Sequence, residues 1–203
     1  MSKNPSSIEP YLLYAIFVGV GLGSLLLGQS ARLALLWTAL LLLSAFYRGN
    51  HDLEMDFSLP SVGRGALLGL VISVPILAFL STQLRLFAER LYATNDIVLL
   101  FYQVCFISAP VEEYFFRGII QDSKGPTVGI ALYALTGLLY FLPHAPLLIV
   151  LIIFAAMAIL GIVYSYVRER YGLSASIACH VAAAGTLLVA PTLIETIRAM
   201  LST

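Results

Sequence analysis

The sequence predicts an all-α protein, a polytopic membrane bundle of about seven transmembrane helices, and three observations lead to this fold class. Hydrophobic residues make up 60% of the 203 positions and charged residues 11%, with a mean hydropathy of +0.95, whereas about a quarter of residues are charged in soluble domains. The apolar residues form long runs, close to the roughly 20 residues that a spanning helix needs. The length suits one domain over residues 1–203.

Seven apolar segments are the candidate spans. The second is short, so we expect it to tilt little or to thin the bilayer locally. The first is followed by G-Q-S-A, which resembles a cleavage site, but the apolar runs behind it favour a retained helix. In chain order the segments are 11–28, 32–47, 64–82, 97–121, 127–143, 146–167 and 173–194.

Two polar stretches lie between these segments. In residues 83–96, leucines and aromatic residues alternate with charged residues at helical spacing. This pattern predicts an amphipathic extension of the third helix, lying in the membrane interface. Residues 48–63 form the longest polar loop, and we expect their charges to lie in water.

The charge balance excludes one class of function. The chain has 11 basic and 11 acidic residues, whereas a nucleic-acid-binding protein needs a basic face. We therefore expect the lipid bilayer and no nucleic acid among its partners. Cys105 and Cys179 lie in apolar runs, which indicates buried, inert thiols rather than a disulfide framework.

We expect the chain to lie in the plasma membrane of a prokaryotic cell, and its basic residues favour a cytoplasmic N-terminus. Seven spans put the termini on opposite sides, and the side of the N-terminus then collects six basic residues against four on the other, which the positive-inside rule assigns to the cytoplasm. The six are Lys3, Arg48, Arg64, Lys124, Arg168 and Arg170, and the four are Arg32, Arg85, Arg90 and Arg198.

Three charged residues interrupt the fourth apolar segment, in the stretch P-V-E-E-Y-F-F-R-G. Nearly all other charges fall in loops or near segment ends, so Glu112, Glu113 and Arg117 are exceptions. Ionisable groups at membrane depth are costly and by default mark a functional site. The alternative is an internal ion pair that only helps the helices to pack.

Helical spacing separates the two glutamates. Glu113 and Arg117 are four residues apart on one helix face and can pair, whereas Glu112 is rotated by about 100° from Glu113. This spacing leaves Glu112 for general acid–base chemistry, to which a carboxylate in a poorly hydrated site is suited. Pro110 removes a backbone donor just before the pair, so we expect a kink with free carbonyls there.

Two histidines on other segments are candidate partners of the acids. His144 ends the fifth segment and His180 lies within the seventh, while His51 belongs to the polar loop. Together with Glu112, these two histidines are the groups that a water-activating site uses. They could bind a metal such as zinc, or act without metal, with the acid as base and a histidine as donor to an oxyanion.

The residues of the fourth segment resemble a motif of a known family, the CAAX prenyl protease and bacteriocin-processing (Abi) group of intramembrane endopeptidases, also called type II CAAX proteases. That family carries three motifs on separate helices. The first, E-E-x-x-x-R, is matched by Glu112, Glu113 and Arg117, followed by Gly118.

The other two motifs are matched less fully. F-x-x-x-H is matched by Y-F-L-P-H, with Tyr140 in the aromatic place and His144 as the histidine. H-x-x-x-N or H-x-x-x-D is matched by His180, but Ala184 stands where the family has Asn or Asp. The resemblance covers roughly residues 97–190, and the N-terminal helices add no motif.

The resemblance implies a role for each residue. Glu112 would activate the attacking water with the help of His144. His180 would stabilise the tetrahedral oxyanion or help to hold a metal. Glu113 and Arg117 would orient the site. The substrate would be the tail of a membrane-bound peptide or protein, such as a C-terminal processing signal, and we expect a prenylated CAAX tail less for so short a chain.

Ala184 is the main departure from the family pattern. Loss of one oxyanion donor can lower a rate by roughly 10²–10³-fold. Ser176, Thr186 or a backbone N–H are the candidates to replace the missing amide.

Two other functions compete with the enzyme. A membrane scaffold or immunity factor that kept the fold without catalysis is favoured by Ala184. A proton-coupled transporter would use Glu112 and the histidines as a relay, but transporters often contain two related halves, and the first half of the chain shows no counterpart of the acidic residues.

Overall fold

The computed structural model describes residues 9–48, 57–141 and 145–201, and all of its secondary structure in those ranges is helical. His51 and His144 therefore lie outside the described residues. Seven helices occur in the described ranges, in the order α1 Pro10–Gly23, α2 Gln29–Arg48, α3 Leu59–Tyr92, α4 Ile97–Lys124, α5 Pro126–Phe141, α6 Leu147–Tyr171 and α7 Leu173–Leu201. The predicted all-α bundle is confirmed.

Five of the helices that the structure describes are long and apolar enough to cross a membrane, namely α2, α3, α4, α6 and α7. The helices α1 and α5 are apolar but shorter, with 14 and 16 residues. The expected first span, 11–28, is thus too long, because α1 ends at Gly23 and the Ser24 hydroxyl bonds back to the Gly21 carbonyl at 3.0 Å.

Local capping sets where α3 and α4 begin. The Ser58 side chain accepts a hydrogen bond from the Ser61 N–H, and Pro60 occupies the first turn, a combination that favours helix initiation. The expected polar loop over 48–63 is therefore too long, since α3 begins at Leu59. Asp96 caps α4 by accepting from the N–H groups of the second and third residues after it.

Single glycines join two pairs of helices. Gly125 separates α4 from α5 and Gly172 separates α6 from α7, with φ of +88° and +90°. Only glycine adopts such a conformation readily, which is why it commonly ends helices. Because each link is one residue long, α5 begins at Pro126 directly after Gly125, and α7 begins at Leu173 directly after Gly172.

The described residues fall into two compact units. The first contains those within Met1–Glu54 and Tyr114–Ser165, and the second those within Met55–Glu113 and Tyr166–Thr203. The chain passes from one unit to the other within α4 and again within α6. Each unit has its own core.

Aromatic rings fill the core of the first unit. Phe17 of α1 packs on Phe115 of α4, Phe115 on Phe116, and Phe116 on Tyr133 of α5, with ring centroids 6.4, 5.1 and 5.4 Å apart. All four side chains are buried. Tilted and edge-on ring pairs of this kind stabilise a core beyond the area they bury.

A buried cation ties together the ends of two helices in the same unit. The Arg32 guanidinium of α2 is 0% exposed and donates to the carbonyls of Gly21 at 3.2 Å and Tyr140 at 3.1 Å. Gln29 donates to the Tyr140 carbonyl as well, at 3.3 Å. Both carbonyls belong to the last turn of a helix, which carries partial negative charge and lacks intrahelical donors. Arg32 therefore caps α1 and α5 at once.

Close approach of two backbones builds the second unit. Gly65 and Gly69 of α3 face the backbone of α7 at Ala175 and Cys179, and a Cβ at either glycine would collide with a carbonyl oxygen there. Small residues permit such contact between membrane helices. Beyond a kink at Leu80, α3 continues as the predicted amphipathic extension. The thiols of Cys105 and Cys179 are buried, as expected.

Candidate active site

The acid pair lies on a short α-helical segment of α4, Ala109–Glu113, between two wider π-helical segments, Tyr102–Ser108 and Tyr114–Ile120. Before it, the Ala109 N–H bonds to the Val104 carbonyl, five residues back. Pro110 follows and has no N–H to offer to an α-helical ladder. The expected kink stays a prediction, but π-helical turns of this kind are often found at functional sites.

Both acids are buried. Glu112 is 3% exposed and Glu113 is 0% exposed. The Ser108 hydroxyl, one turn earlier on the same helix, donates to Oε1 of Glu112 at 2.8 Å. Burying a carboxylate is costly unless hydrogen bonds compensate for lost water, so this bond helps to hold Glu112 in place within the second unit.

Glu113 contacts two side chains of α7. The Ser176 hydroxyl donates to Oε2 of Glu113, and Nδ1 of His180 lies 3.0 Å from its Oε1. Ser176 and His180 are four residues apart and share one face of α7. The two carboxylate oxygens are thus held from one helix, and the imidazole ring is held by the acid in return.

The contact with Glu113 decides which nitrogen of His180 carries a proton. An ionised carboxylate only accepts hydrogen bonds, so Nδ1 is protonated when Glu113 is ionised. Nε2 is then the nitrogen that can exchange a proton with a reacting group, or donate to an oxyanion when the ring is fully protonated. Carboxylates orient catalytic imidazoles in this manner in hydrolases.

The close packing of α3 on α7 supports this arrangement. Ala175 and Cys179, which lie against the glycines of α3, immediately precede Ser176 and His180 in the chain. The backbone of α7 is therefore fixed at the two positions next to the side chains that contact Glu113.

Ala184 ends the α-helical part of α7. Its side chain is buried, and the π-helical segment Gly185–Val189 follows directly. Thr186 donates its hydroxyl to the Ala182 carbonyl at 2.8 Å, and Ser176 donates to Glu113. The two hydroxyls that could replace the missing amide are therefore both engaged as donors to other groups.

Arg117 is placed in the first unit. It is 0% exposed, its guanidinium lies 4.1 Å from the ring centroid of Tyr133 and 5.3 Å from that of Tyr164, and it donates to the Gly161 carbonyl at 3.3 Å. Cation–π contacts gain strength when water is excluded, as here. The expected pairing of Arg117 with Glu113 stays a prediction.

The described side chains do not by themselves fit a metal ion. A zinc site needs three or four His, Cys or carboxylate ligands, and no group of three such side chains is close enough in the described part of the chain. His144, the third expected ligand beside Glu112 and His180, lies outside it. We therefore derive no reaction step through a metal.

Two polar contacts of the site were not predicted from the sequence. Ser108 precedes Glu112 by four residues on one helix, so helical spacing could have identified this contact. The bond from Ser176 to Glu113 could not have been found this way, because it joins different helices.

Comparison with known protein families finds a match over part of the chain. Residues 94–186 match the family model described as Rce1-like, type II CAAX prenyl endopeptidase Rce1-like. This region, somewhat less than half of the chain, is similar to the Rce1-like family. The Rce1-like region contains Glu112, Glu113, Arg117 and His180, so the resemblance drawn from the motifs is confirmed. No curated protein and no solved structure matches the chain. The match to the Rce1-like model indicates an endopeptidase, and the apolar helices indicate a multi-pass membrane protein.

Proposed function

We propose that this protein is an intramembrane endopeptidase that hydrolyses a peptide bond in the tail of a membrane-bound peptide or protein. The observation that carries the proposal is a buried carboxylate–imidazole pair, Glu113 and His180, beside a second buried carboxylate, Glu112, on otherwise apolar helices. Buried ionisable groups in a membrane protein are costly to keep without a function.

In the proposed reaction Glu112 is the general base. It takes a proton from water as the water oxygen attacks the carbonyl carbon of the scissile bond, and a tetrahedral oxyanion forms. The C–N bond then breaks, and the proton held by Glu112 passes to the amine that leaves. Ser108 keeps the Glu112 carboxylate in position. The second motif implies an assisting role for His144, which lies outside the described residues.

His180 is the proposed donor to the oxyanion. With Nδ1 bound to Glu113, a protonated ring presents Nε2–H as a charged donor, and the carboxylate of Glu113 balances the positive charge. The methyl side chain of Ala184 cannot donate a hydrogen bond to the oxyanion. We therefore infer that the Nε2–H group of His180 supplies a larger share of the oxyanion stabilisation than it would if an amide side chain stood at position 184. Apart from the attacking water and the substrate, these steps use only side chains of the protein.

We also propose the plasma membrane as the location and the cytoplasm as the side of the N-terminus. The distribution of basic residues supports this orientation. A single cysteine placed at residue 2, in a variant with Cys105 and Cys179 replaced by serine, tests it. The cysteine should react with a membrane-impermeant maleimide only after the cells are opened, and reaction in intact cells would reverse the orientation.

Cleavage by the reconstituted protein tests the function. Two quenched fluorescent probes are offered in liposomes, a peptide with a farnesylated Cys-aliphatic-aliphatic-X tail and the same tail attached to an apolar anchor helix. We expect cleavage of at least one probe, loss of at least about 10²-fold of the rate in Glu112→Gln, and wild-type rates in Glu169→Gln, which changes an exposed glutamate of α6.

The same assay separates the enzyme from the scaffold. A folded wild-type protein that cleaves neither probe, or a Glu112→Gln variant that cleaves as fast as wild type, would overturn the proposal. The first result would favour the non-catalytic membrane scaffold or immunity factor, which the buried Ala184 in place of an amide supports.

A further inference from the structure

The contact between α3 and α7 changes along the two helices. Near their beginnings, the backbone of α3 at Gly65 lies against Ala175. One turn further along both chains, Gly69 lies against Cys179, so the two helices run parallel. Towards their ends, within the same unit, α3 and α7 no longer touch so closely and together line a groove of about 630 Å³.

Both helices depart from regular geometry before they reach the groove. Leu80 of α3 has non-helical backbone angles, with φ of −122° and ψ of 18°, and the π-helical segment Gly185–Val189 interrupts α7. Irregularities of this kind bend helices, which leaves room between the last turns of the pair. The lining of the groove includes polar and charged side chains as well as apolar ones, among them Arg85, Glu89, Asn95, Glu195, Ala199 and Met200.

The charges that line the groove are not balanced. Arg85 of α3 donates to Oε1 of Glu89 at 2.6 Å, which pairs one charge of each sign. Glu195, on the opposing helix α7, forms no ion pair or hydrogen bond with its side chain among the described residues. The described lining therefore carries one negative charge in excess, and a ligand with a cationic group complements it.

Arg85 also keeps hydrogen-bond donors for an anionic group. A guanidinium has five N–H donors, and within the described part of the chain the side chain of Arg85 donates only from Nη1, to Glu89. Guanidinium groups bind phosphate well. The groove thus offers a phosphate-binding cation on α3 and an unpaired carboxylate on α7, and Asn95 adds an amide that can donate or accept.

The place of the groove in the fold indicates where its ligand comes from. Both α3 and α7 are long and apolar enough to cross a membrane, and because they run parallel, their last turns lie on the same side. Polar side chains at the end of a spanning helix lie at the depth of the lipid headgroups. A headgroup that carries both a phosphate and an ammonium matches Arg85 and Glu195 together, whereas a lysine side chain of a peptide matches only Glu195.

The simpler interpretation is a gap between two helix ends that water fills. Glu195, Ala199 and Met200 are exposed, and charged side chains at a membrane surface are normally solvated. Lipid acyl chains fit the groove poorly, because they would cover charged groups without hydrogen-bonding to them. A water-filled gap predicts no preference among lipid headgroups and no effect of Glu195 on lipid binding, so measurement can separate the two interpretations.

We propose that this groove binds the headgroup of a zwitterionic phospholipid that ends in a primary ammonium, as a phosphoethanolamine headgroup does. The carboxylate of Glu195 accepts hydrogen bonds from the ammonium, and the guanidinium of Arg85 donates to the phosphate. Hydrogen bonds between charged partners are the strong ones. The proposal goes beyond the proposed function and does not depend on it, because lipid binding needs no catalytic step.

Native mass spectrometry of the full chain, titrated in detergent micelles with phospholipids of identical acyl chains, tests the proposal. Phosphatidylethanolamine and phosphatidylcholine carry the same charges, but only the first has ammonium N–H donors. We expect the wild type to bind phosphatidylethanolamine about tenfold more tightly, as one hydrogen bond between charged groups allows. Glu195→Gln should lose this preference, and Glu169→Gln, the matched control at an exposed glutamate of α6, should keep it. Arg85→Gln should weaken the binding of both lipids, because both contain the phosphate.

Photocrosslinking locates the lipid without changing any charge of the groove. A photoreactive residue in place of Met200, which lines the groove, should label phosphatidylethanolamine strongly in liposomes that contain both lipids. The same residue in place of Ile197, an exposed position of α7 outside the lining, should label the two lipids in proportion to their amounts.

Three results would overturn the proposal. Equal affinities of the wild type for the two lipids would show that no group of the protein recognises the ammonium. A preference that persists in Glu195→Gln, or labelling from position 200 that follows the lipid amounts as at position 197, would place the lipid elsewhere. Binding of a lysine-ended, membrane-anchored peptide that Glu195→Gln abolishes, without a preference between the lipids, would assign the groove to a peptide instead. None of these results depends on whether the protein cleaves a probe.

Discussion

Replacement of Gly65 by alanine should separate α3 from α7 and disturb the site. A Cβ at this position would lie 2.7 Å from the carbonyl carbon and 2.9 Å from the Cα of Ala175, and closer still to the carbonyl oxygen. Favourable contacts between carbon atoms lie at about 3.5–4.0 Å. Because the obstructing atoms are backbone, no side chain can rotate away, and the helices must move apart by roughly 1 Å.

The magnitude follows from two opposing terms. Overpacking of a well-packed interface costs about 1–3 kcal/mol, whereas exchanging glycine for alanine within a helix gains about 0.5–1 kcal/mol. We therefore expect Gly65→Ala to lower the free energy of unfolding by up to about 2.5 kcal/mol. Gly63→Ala is the matched control, because a Cβ there has no neighbouring atom within 4 Å. Gly63→Ala should therefore raise the free energy of unfolding by about 0.5–1 kcal/mol, the gain from exchanging glycine for alanine within a helix.

Thermal unfolding in detergent micelles, followed by circular dichroism, measures both variants. Because Ala175 immediately precedes Ser176, the displacement should also weaken the contacts of Ser176 with Glu113, and we expect Gly65→Ala to cleave more slowly than Gly63→Ala. A Gly65→Ala variant that is as stable as Gly63→Ala would refute the close backbone contact on which the placement of α7 depends.

Three further substitutions test other parts of the account. Arg117→Lys loses the planar contact with Tyr133 and should destabilise the protein by about 1–2 kcal/mol in thermal unfolding; unchanged stability would contradict the contact. Arg32→Met leaves two helix-end carbonyls without this donor and should cost roughly 1–3 kcal/mol, whereas a stabilised variant would show that the capping role is wrong. Ser176→Ala removes a donor to the Glu113 carboxylate and should cost about 1.5–3 kcal/mol and slow cleavage, and a wild-type rate would argue against Glu113 as the group that orients the imidazole.

Much of the fold could be predicted from the sequence because membrane helices leave a strong compositional signal. The start of α4 at Ile97 and a helical extension beyond the third apolar segment followed from hydropathy and spacing alone, but the extension ends at Tyr92 and not at residue 96. The start of α3 at Leu59 did not, because its signal is the cap formed by Ser58 with Pro60, which hydropathy does not report. The early end of α1 at Gly23 was also missed, because the apolar run itself continues beyond that residue.

The site was predictable only in part. Charges in an apolar segment mark candidate residues whatever the tertiary structure, so Glu112, Glu113 and His180 could be selected. Spacing within one helix suggested Arg117 as the partner of Glu113, whereas the contacts of Glu113 with Ser176 and His180 depend on how α4 and α7 pack. Sequence reports neighbours along a helix far better than neighbours between helices, which is why those contacts were missed.

The most direct test of the central claim is the first-turnover product formed in H₂¹⁸O by wild type and by Glu112→Gln. A water activated by Glu112 places one solvent oxygen in the new carboxylate of the product, so we predict singly labelled product from the wild type and at most a trace from the variant. Labelled product formed by Glu112→Gln at the wild-type rate would contradict Glu112 as the base. Unlabelled first-turnover product from the wild type would show that a group of the protein, and not water, attacks the peptide bond.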